Sequence, residues 1–257
     1  MDYKKTIIIT GASSGLGRAI ALQYADKHTR LFLFGRDQSR LTEIEELCRN
    51  RHAEVTKIIC DVRDADLTRI IIEKIGKKHK IDIIIAVAGV SAGTLNKPES
   101  SKQVTEIFST NLNGTLNIIL PALPLMIKRN HGTIVVIGSM AGLFPLSSAP
   151  SYSASKAAVK IFGEAMRGYL KQFQVQLCVV IPGYIETPMT KVNKFPMPFK
   201  ISAEQAAQII IAGINSKKNL IAFPKLVYFI LKLMSLLPNQ LIDYINSKIP
   251  GKPAFDE

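Results

Sequence analysis

Six short runs of β-branched and aliphatic residues recur along the chain at fairly even intervals: "TIIIT" at 6–10, "LFLF" at 31–34, "VTKII" at 55–59, "IDIIIAV" at 81–87, "TIVVIG" at 133–138 and "VQLCVVI" at 175–181. Most lack the in-out alternation of a strand with one wet face, which is the pattern of strands buried on both sides. Helix-compatible segments lie between and after them at 16–28, 38–50, 64–79, 101–128 and 153–172. Strand and helix in alternation imply right-handed crossovers and a parallel sheet with helices on both faces. The expected fold is therefore α/β: a doubly wound parallel sheet in a three-layer α/β/α arrangement. The length of 257 residues and an apolar content of 47 % suffice for one large core. The whole chain, 1–257, is read as a single domain.

Three cysteines, Cys48, Cys60 and Cys178, are odd in number and widely spaced, with no CxxC pair. They point to a reducing compartment rather than to a disulfide framework or a zinc site, and no metal ligand set stands out. The N-terminal apolar run is too short for a signal peptide, so a cytoplasmic location is expected. Net charge is +13, from 33 Lys and Arg against 20 Asp and Glu, and the basic residues are scattered. Such a surplus suits a nucleotide phosphate, an anionic membrane or nucleic acid, and equally a merely soluble surface. No basic cluster with interleaved aromatics accompanies it, so nucleic-acid binding is not expected.

"TIIITGASSGLGRAIALQYA" places Gly11, Gly15 and Gly17 between the first strand and the first helix. Glycine there permits a tight turn and close approach of backbone to a pyrophosphate, and the helix N-terminus offers oriented N–H groups to the anion. Ser13 and Ser14 add hydroxyls, and Leu16 completes the loop. The GxxxGxG spacing resembles the signature of the short-chain dehydrogenase/reductase family, whose fold is of the Rossmann type. That resemblance implies an oxidoreductase that interconverts an alcohol and a carbonyl with NAD(P). It extends over several motifs. After the second strand, Gly35 stands where an acid for the NAD ribose is expected, and Arg36 follows it. A cation there accommodates the extra phosphate of NADP(H); the alternative is that Arg36 caps a loop while Asp37 accepts the ribose. "CDVRD" follows the third strand, and the matching Asp61 and Val62 flank the adenine ring in the family. After the fourth strand "IAVAGV" matches the family's NNAG at Ala88 and Gly89, with Val87 in place of the usual asparagine. The lost amide removes hydrogen bonds worth on the order of 1 kcal/mol each.

The family's catalytic tetrad matches Asn111, Ser139, Tyr152 and Lys156 in order and context. Tyr152 and Lys156, in "SYSASK", share a helix face one turn apart. A tyrosine of ordinary pKa near 10 is a poor base at neutral pH, and an adjacent ammonium stabilises its phenolate. The resemblance makes Tyr152 the general acid/base, Ser139 the hydroxyl that holds the substrate oxygen, Lys156 a second contact to the cofactor, and Asn111 the residue that orders a proton-relay water. "IPGYIETPM" then supplies Pro182 and Gly183, near the nicotinamide in the family, and Thr187, which bonds its carboxamide.

Beyond Gly183 the character changes. Residues 184–201 hold three prolines and read as an irregular excursion, followed by a helix at 202–214 with Ser202 as its N-cap. This stretch is the expected substrate loop; Phe195, Met197 and Phe199 either close over an apolar substrate or pack the small helix. The segment 220–257 is an apolar extension broken by Pro224, Pro238 and Pro250. Its runs are too short for a confident membrane span, and 220–249 suits an interfacial position with Lys225, Lys232 and Lys248 at anionic headgroups. The tail looks like that of family members acting on long-chain keto lipids, such as 3-ketosphinganine reductases; a dimer contact or a lid is the alternative. The resemblance further implies a homodimer or homotetramer built through helices at 101–128 and 153–172. A catalytically silent NADP(H)-binding regulator is the rival function, opposed by the intact tetrad.

Overall fold

The computed structural model describes residues 5–95 and 97–255. Its elements run in the order β1 (Lys5–Ile9), α1 (Gly15–Tyr24), β2 (Thr29–Gly35), α2 (Gln38–Arg49), β3 (Glu54–Ile59), α3 (Ala65–Lys78) and β4 (Ile81–Ala86). There follow α4 (Ser101–Phe108), α5 (Gly114–Ile119), α6 (Leu123–Arg129), β5 (Gly132–Ile137), α7 (Pro150–Leu170) and β6 (Val175–Pro182). The last third holds β7 (Ile185–Glu186), α8 (Pro188–Lys191), β8 (Ile201–Ser202), α9 (Ala203–Asn215), β9 (Leu220–Phe223), α10 (Lys225–Met234) and α11 (Asn239–Asn246).

Seven strands form one parallel sheet in the order β3-β2-β1-β4-β5-β6-β9. Side-chain alternation along each strand divides the core into two layers. Ile7 and Ile9 face α1, α2 and α9, while Ile8 faces the side covered by α3, α5, α6 and α7. Both faces are apolar, hence the unbroken β-branched runs in the sequence. β3, at one edge of the sheet with β9 at the other, shows mixed exposure. The strand order reverses between β1 and β4, and such a switch point opens a crevice at the strand C-termini.

Three expected elements differ. The helix expected at 16–28 stops at Tyr24, because Thr29 Oγ1 donates to the Tyr24 carbonyl (2.8 Å) and Asp26 Oδ1 accepts from His28 N–H (2.7 Å), which turns the chain into β2. The single helix expected at 101–128 is three helices. A π turn at Ser109–Asn113 separates α4 from α5, and α6 starts afresh with a proline in its first turn. The apolar tail begins as a strand: Leu220–Phe223 pairs in parallel with Val179–Pro182 of β6 and extends the main sheet. Ser202 does cap α9, accepting from Gln205 N–H (3.1 Å) in a reciprocal capping box. The cysteines are free and buried. Among the described residues no helix is long and apolar enough to cross a membrane.

Candidate active site

The crevice opens at the C-terminal ends of β1 and β4. Gly11 and Gly15 adopt left-handed conformations (φ +62° and +51°), which fold the chain from β1 sharply into α1. A Cβ on Gly17 would overlap the Gly11 carbonyl, so the helix can approach the turn this closely only with glycine there. Helices α2, α3, α4 and α9 each have their first turn closed by the side chain of Asp37, Asp64, Ser100 or Ser202. The N-cap of α1, Ser14, makes no such bond, and its residue lines the crevice. The uncapped N–H groups and the glycine turn suit an anionic pyrophosphate.

Gly11, Ser14, Gly15, Leu16, Gly17, Ala88, Gly89, Ser139, Tyr152, Lys156, Pro182, Gly183 and Thr187 all line this single crevice. Ser13, Arg36, Asp61, Val62 and Asn111 lie behind or beside it. Ser13 faces Gly35 at the end of β2, where a Cβ would come within 3.3 Å of its hydroxyl. Arg36 is more than half exposed and 3.8 Å from the Asp61 carboxylate, which Arg63 holds more closely at 2.6 Å. Burial works to raise the Asp61 carboxyl, but hydrogen bonds from Arg63 bring it below its ordinary value. Asp37 is engaged by Arg40, through its backbone N–H (2.9 Å) and its guanidinium (2.7 Å). Val62 is buried against Gly114.

Val87 packs partly buried on the core, and its backbone is tied to the neighbouring strand. Thr10 Oγ1, at the end of β1, accepts from the N–H groups of both Val87 and Ala88 at 3.0 Å each. Gly89 sits in a tight spot: a Cβ there would come within 3.1 Å of Asn111 Oδ1 and 3.5 Å of Lys156 Nζ.

α7 begins at Pro150, which its fixed φ suits to a first helical turn, so Tyr152 stands in that turn with Lys156 one turn on. Lys156 Nζ donates to the Ile137 carbonyl at the end of β5 (2.8 Å) and lies 6.0 Å from the centre of the Tyr152 ring. Ser139, just past β5, caps a short 3₁₀ turn and lines the crevice with Tyr152. Burial raises the phenol's pKa and the nearby Ser139 hydroxyl pulls it back in part, while burial lowers the Lys156 ammonium to about 8. Burial, rather than the neighbouring ammonium, dominates the phenol. Asn111 sits in the π turn, fully buried. Its Oδ1 accepts from Val90 N–H (2.8 Å), and its Nδ2 donates to the Val90 carbonyl and to Ser155 Oγ (3.0 Å each). The amide thus holds the segment after β4 against α7, and both of its N–H groups are committed.

Thr187 lies against Gly15, at 3.1 Å from a Cβ built there, and opens α8 above the glycine turn. β7 and β8 pair in parallel and pinch off the excursion between them. Within it Phe195 meets Tyr184 edge-on (6.3 Å between ring centres), whereas Phe199 is 62 % exposed. Met189 and Thr190 of α8 line the crevice without any signal in the sequence reading. Lys252 was also unforeseen: its Nζ lies 5.5 Å from the Tyr152 ring centre and donates to Ser91 Oγ (2.6 Å). No local motif marks a residue brought to the site by chain return.

The sequence profile of the short chain dehydrogenase family matches residues 5–195. This chain is a short-chain dehydrogenase. An uncharacterised oxidoreductase of Myxococcus xanthus is 32 % identical over 247 residues, covering 95 % of this chain and 96 % of that protein. An 11-beta-hydroxysteroid dehydrogenase-like 2 of Arabidopsis thaliana is 31 % identical over 249 residues, covering 94 % and 80 %. Among solved structures, a short-chain dehydrogenase/reductase from Burkholderia phymatum in complex with NAD superposes with a TM-score of 0.82 at 22 % identity, over 99 % of both chains. A short-chain dehydrogenase from Sphingobium yanoikuyae in complex with NADPH gives 0.80 at 21 % identity, over 98 % and 99 %. The short-chain dehydrogenase described here is accordingly an NAD(P)-dependent oxidoreductase with a Rossmann-type fold.

Proposed function

We propose that this dehydrogenase is an NADP(H)-preferring carbonyl reductase acting on an apolar, lipid-like ketone or aldehyde, with Asn111, Ser139, Tyr152 and Lys156 as its working set. The observation that carries the reading is that Ser139, Tyr152 and Lys156 line one crevice with the glycine turn, Lys156 standing one turn behind Tyr152 on α7. NADP(H), when bound, supplies or accepts the hydride. Tyr152 donates the proton to the developing alkoxide, a role suited to a phenol that burial keeps protonated. Ser139 holds the substrate oxygen beside it, and Lys156 brings positive charge as the phenol gives up its proton. Asn111 fixes the segment that follows β4 against α7, and a relay water would sit beside it. In a panel of ketones and aldehydes, Tyr152→Phe lowers the rate of NADPH oxidation by about 10²- to 10⁴-fold while NADPH binding persists. Equal inactivity of wild type and variant, with NADPH still bound, favours a silent regulator instead.

The preference for NADP(H) is supported by three features at the end of β2. Gly35 offers no acid, Asp37 is engaged by Arg40, and the Arg36 guanidinium is exposed. A guanidinium–phosphate bond is worth about 1.5–3 kcal/mol, so Arg36→Ala weakens NADPH roughly 10- to 100-fold more than NADH. Equal losses overturn the assignment.

Peripheral membrane contact through 220–249 is the reading of the tail. Leu226, Phe229, Ile230 and Leu233 of α10 and Leu236 beyond it are exposed, with Lys225 and Lys232 on the same helix. A homodimer or homotetramer through α7 is supported by exposed Ile161 and Tyr169 on that helix; light scattering that finds a monomer overturns it.

A further inference from the structure

The last described residues return across the top of the molecule. Gly93 N–H donates to the Pro253 carbonyl (2.7 Å) and Leu95 N–H to the Lys252 carbonyl (2.8 Å), a parallel bridge between the tail and the loop after β4. Phe255 N–H donates to Gln103 Oε1 (3.0 Å), while α11 is pinned nearby through Asn246, whose Oδ1 accepts from Ser147 N–H (3.1 Å) and whose Nδ2 donates to the Pro145 carbonyl (2.8 Å). This double anchoring delivers the Lys252 side chain to the ring of Tyr152. Two ammonium groups therefore approach that ring: Lys156 within the crevice, and Lys252, which does not line it and comes by way of Ser91.

We propose that Lys252 is an anion anchor for the substrate, so that the compound reduced carries a carboxylate or phosphate a few atoms from its carbonyl. The inference rests on the reductase reading above and narrows its substrate to an anionic amphiphile. Lys252 is only partly exposed, and among the described residues no carboxylate pairs with it. Glu99, the acid on the neighbouring loop, is taken up by Ser151, from both N–H (3.1 Å) and Oγ (2.6 Å), and by Gln103 Nε2 (3.2 Å). A serine hydroxyl and an aromatic face are weak compensation for an ammonium withdrawn from water. Burial lowers it to about 8, so it remains charged near neutrality and an arriving anion would hold it so. A substrate oxygen bonded to Tyr152 and Ser139 leaves the rest of the molecule to run past this cation.

The test uses the full chain with NADPH and three matched probes: a medium-chain γ-oxo carboxylate, its methyl ester and the corresponding γ-oxo alkyl phosphate. Wild type is expected to prefer one or both anions over the ester in kcat/KM, chiefly through KM. Lys252→Met is expected to shrink that preference about 30-fold and Lys252→Arg to restore most of it. A wild type that turns over the ester as well as the anions overturns the anchor and leaves the reductase reading intact. So does a Lys252→Met variant that slows all three alike, as a purely structural tie would. No turnover of any probe, with NADPH still bound, overturns both readings. Should Lys252→Met not fold, inhibition of wild type by a fatty carboxylate against its primary amide decides, and equal inhibition overturns the anchor.

Discussion

Ile84 and Leu236 are both large aliphatic side chains, and their settings could hardly differ more. Ile84 is completely buried at the centre of the sheet, opposite Ile8 of β1 and Ile134 of β5; Leu236, on the turn after α10, is 79 % exposed. The contrast extends to the regions they belong to. As far as Gly183 the apolar residues fill two layers on either side of a sheet, and the turns at its C-terminal edge carry the crevice. Beyond Gly183 the core still takes Ile185, α9, β9 and Tyr228 of α10, but Leu226 and Leu233 of α10 and Leu236 after it point outward. The first region holds what any hydride-transfer site needs, which is a rigid cradle and a proton donor. The second carries the parts that bear on which molecule reaches it.

The comparison breaks most easily at Ile84. Removing its side chain leaves a cavity in a layer that cannot collapse, so Ile84→Ala is expected to cost about 2–5 kcal/mol in denaturant melts. A smaller loss would mean that the first region is looser than its burial implies. Next in size is a pH effect at Lys156. Burial holds its folded-state pKa at about 8, against 10.5 for an unhindered lysine. Between those values the unfolded chain keeps a proton that the folded protein has released, so stability attributable to this group rises with pH through that window. Lys156→Met removes the penalty, and its advantage over wild type shrinks by on the order of 3 kcal/mol from about pH 7 to about pH 11. A difference that stays flat would show that water or a counter-charge already solvates the ammonium.

How much of this was legible beforehand follows the same divide. Strands β1, β4, β5 and β6 are readable because burial on both faces leaves only aliphatic side chains. The glycine turn is readable because close backbone approach admits only glycine at Gly17. Asn111 was placed in a helix, and the π turn around it was not seen, because that turn depends on the amide reaching Val90 and Ser155 on other elements. The prolines at 121 and 124 stand where 101–128 breaks into separate helices, and the expectation of one helix overlooked them. β9 is four residues long and becomes a strand only by pairing with β6, so no periodicity exposes it. The backbone tie from Thr10 to Val87 and Ala88 lies on another strand, so the sequence around Val87 could not show it. Lys252 is the extreme case, being a lysine of an apolar tail that tertiary return sets against Tyr152.

Smaller effects sharpen the comparison on the surface. Gly168 lies exposed near the end of α7, and a Cβ there would meet nothing within 4 Å. Gly168→Ala is expected to stabilise the protein by about 0.5–1 kcal/mol, by removing backbone freedom from the unfolded chain at no steric cost. A loss instead would place a neighbouring subunit against this face of α7.

Leu236→Ser has the smallest expected effect on stability, within about 0.5 kcal/mol, since a side chain already this exposed gives up little contact. Its effect on location is expected to be larger. If α10 and the following turn lie in the headgroup region, each leucine adds the transfer energy of its apolar area, and lysines on the same segment add attraction to anionic lipid. Sedimentation with vesicles of mixed phosphatidylcholine and phosphatidylserine should then retain wild type and release part of the variant, and added salt should release both. An unchanged melt with unchanged sedimentation would remove the membrane from the account of the tail. A melt lowered by more than about 1 kcal/mol would mean that Leu236 is covered in solution, and since nothing in the single chain covers it, the cover would be a second copy.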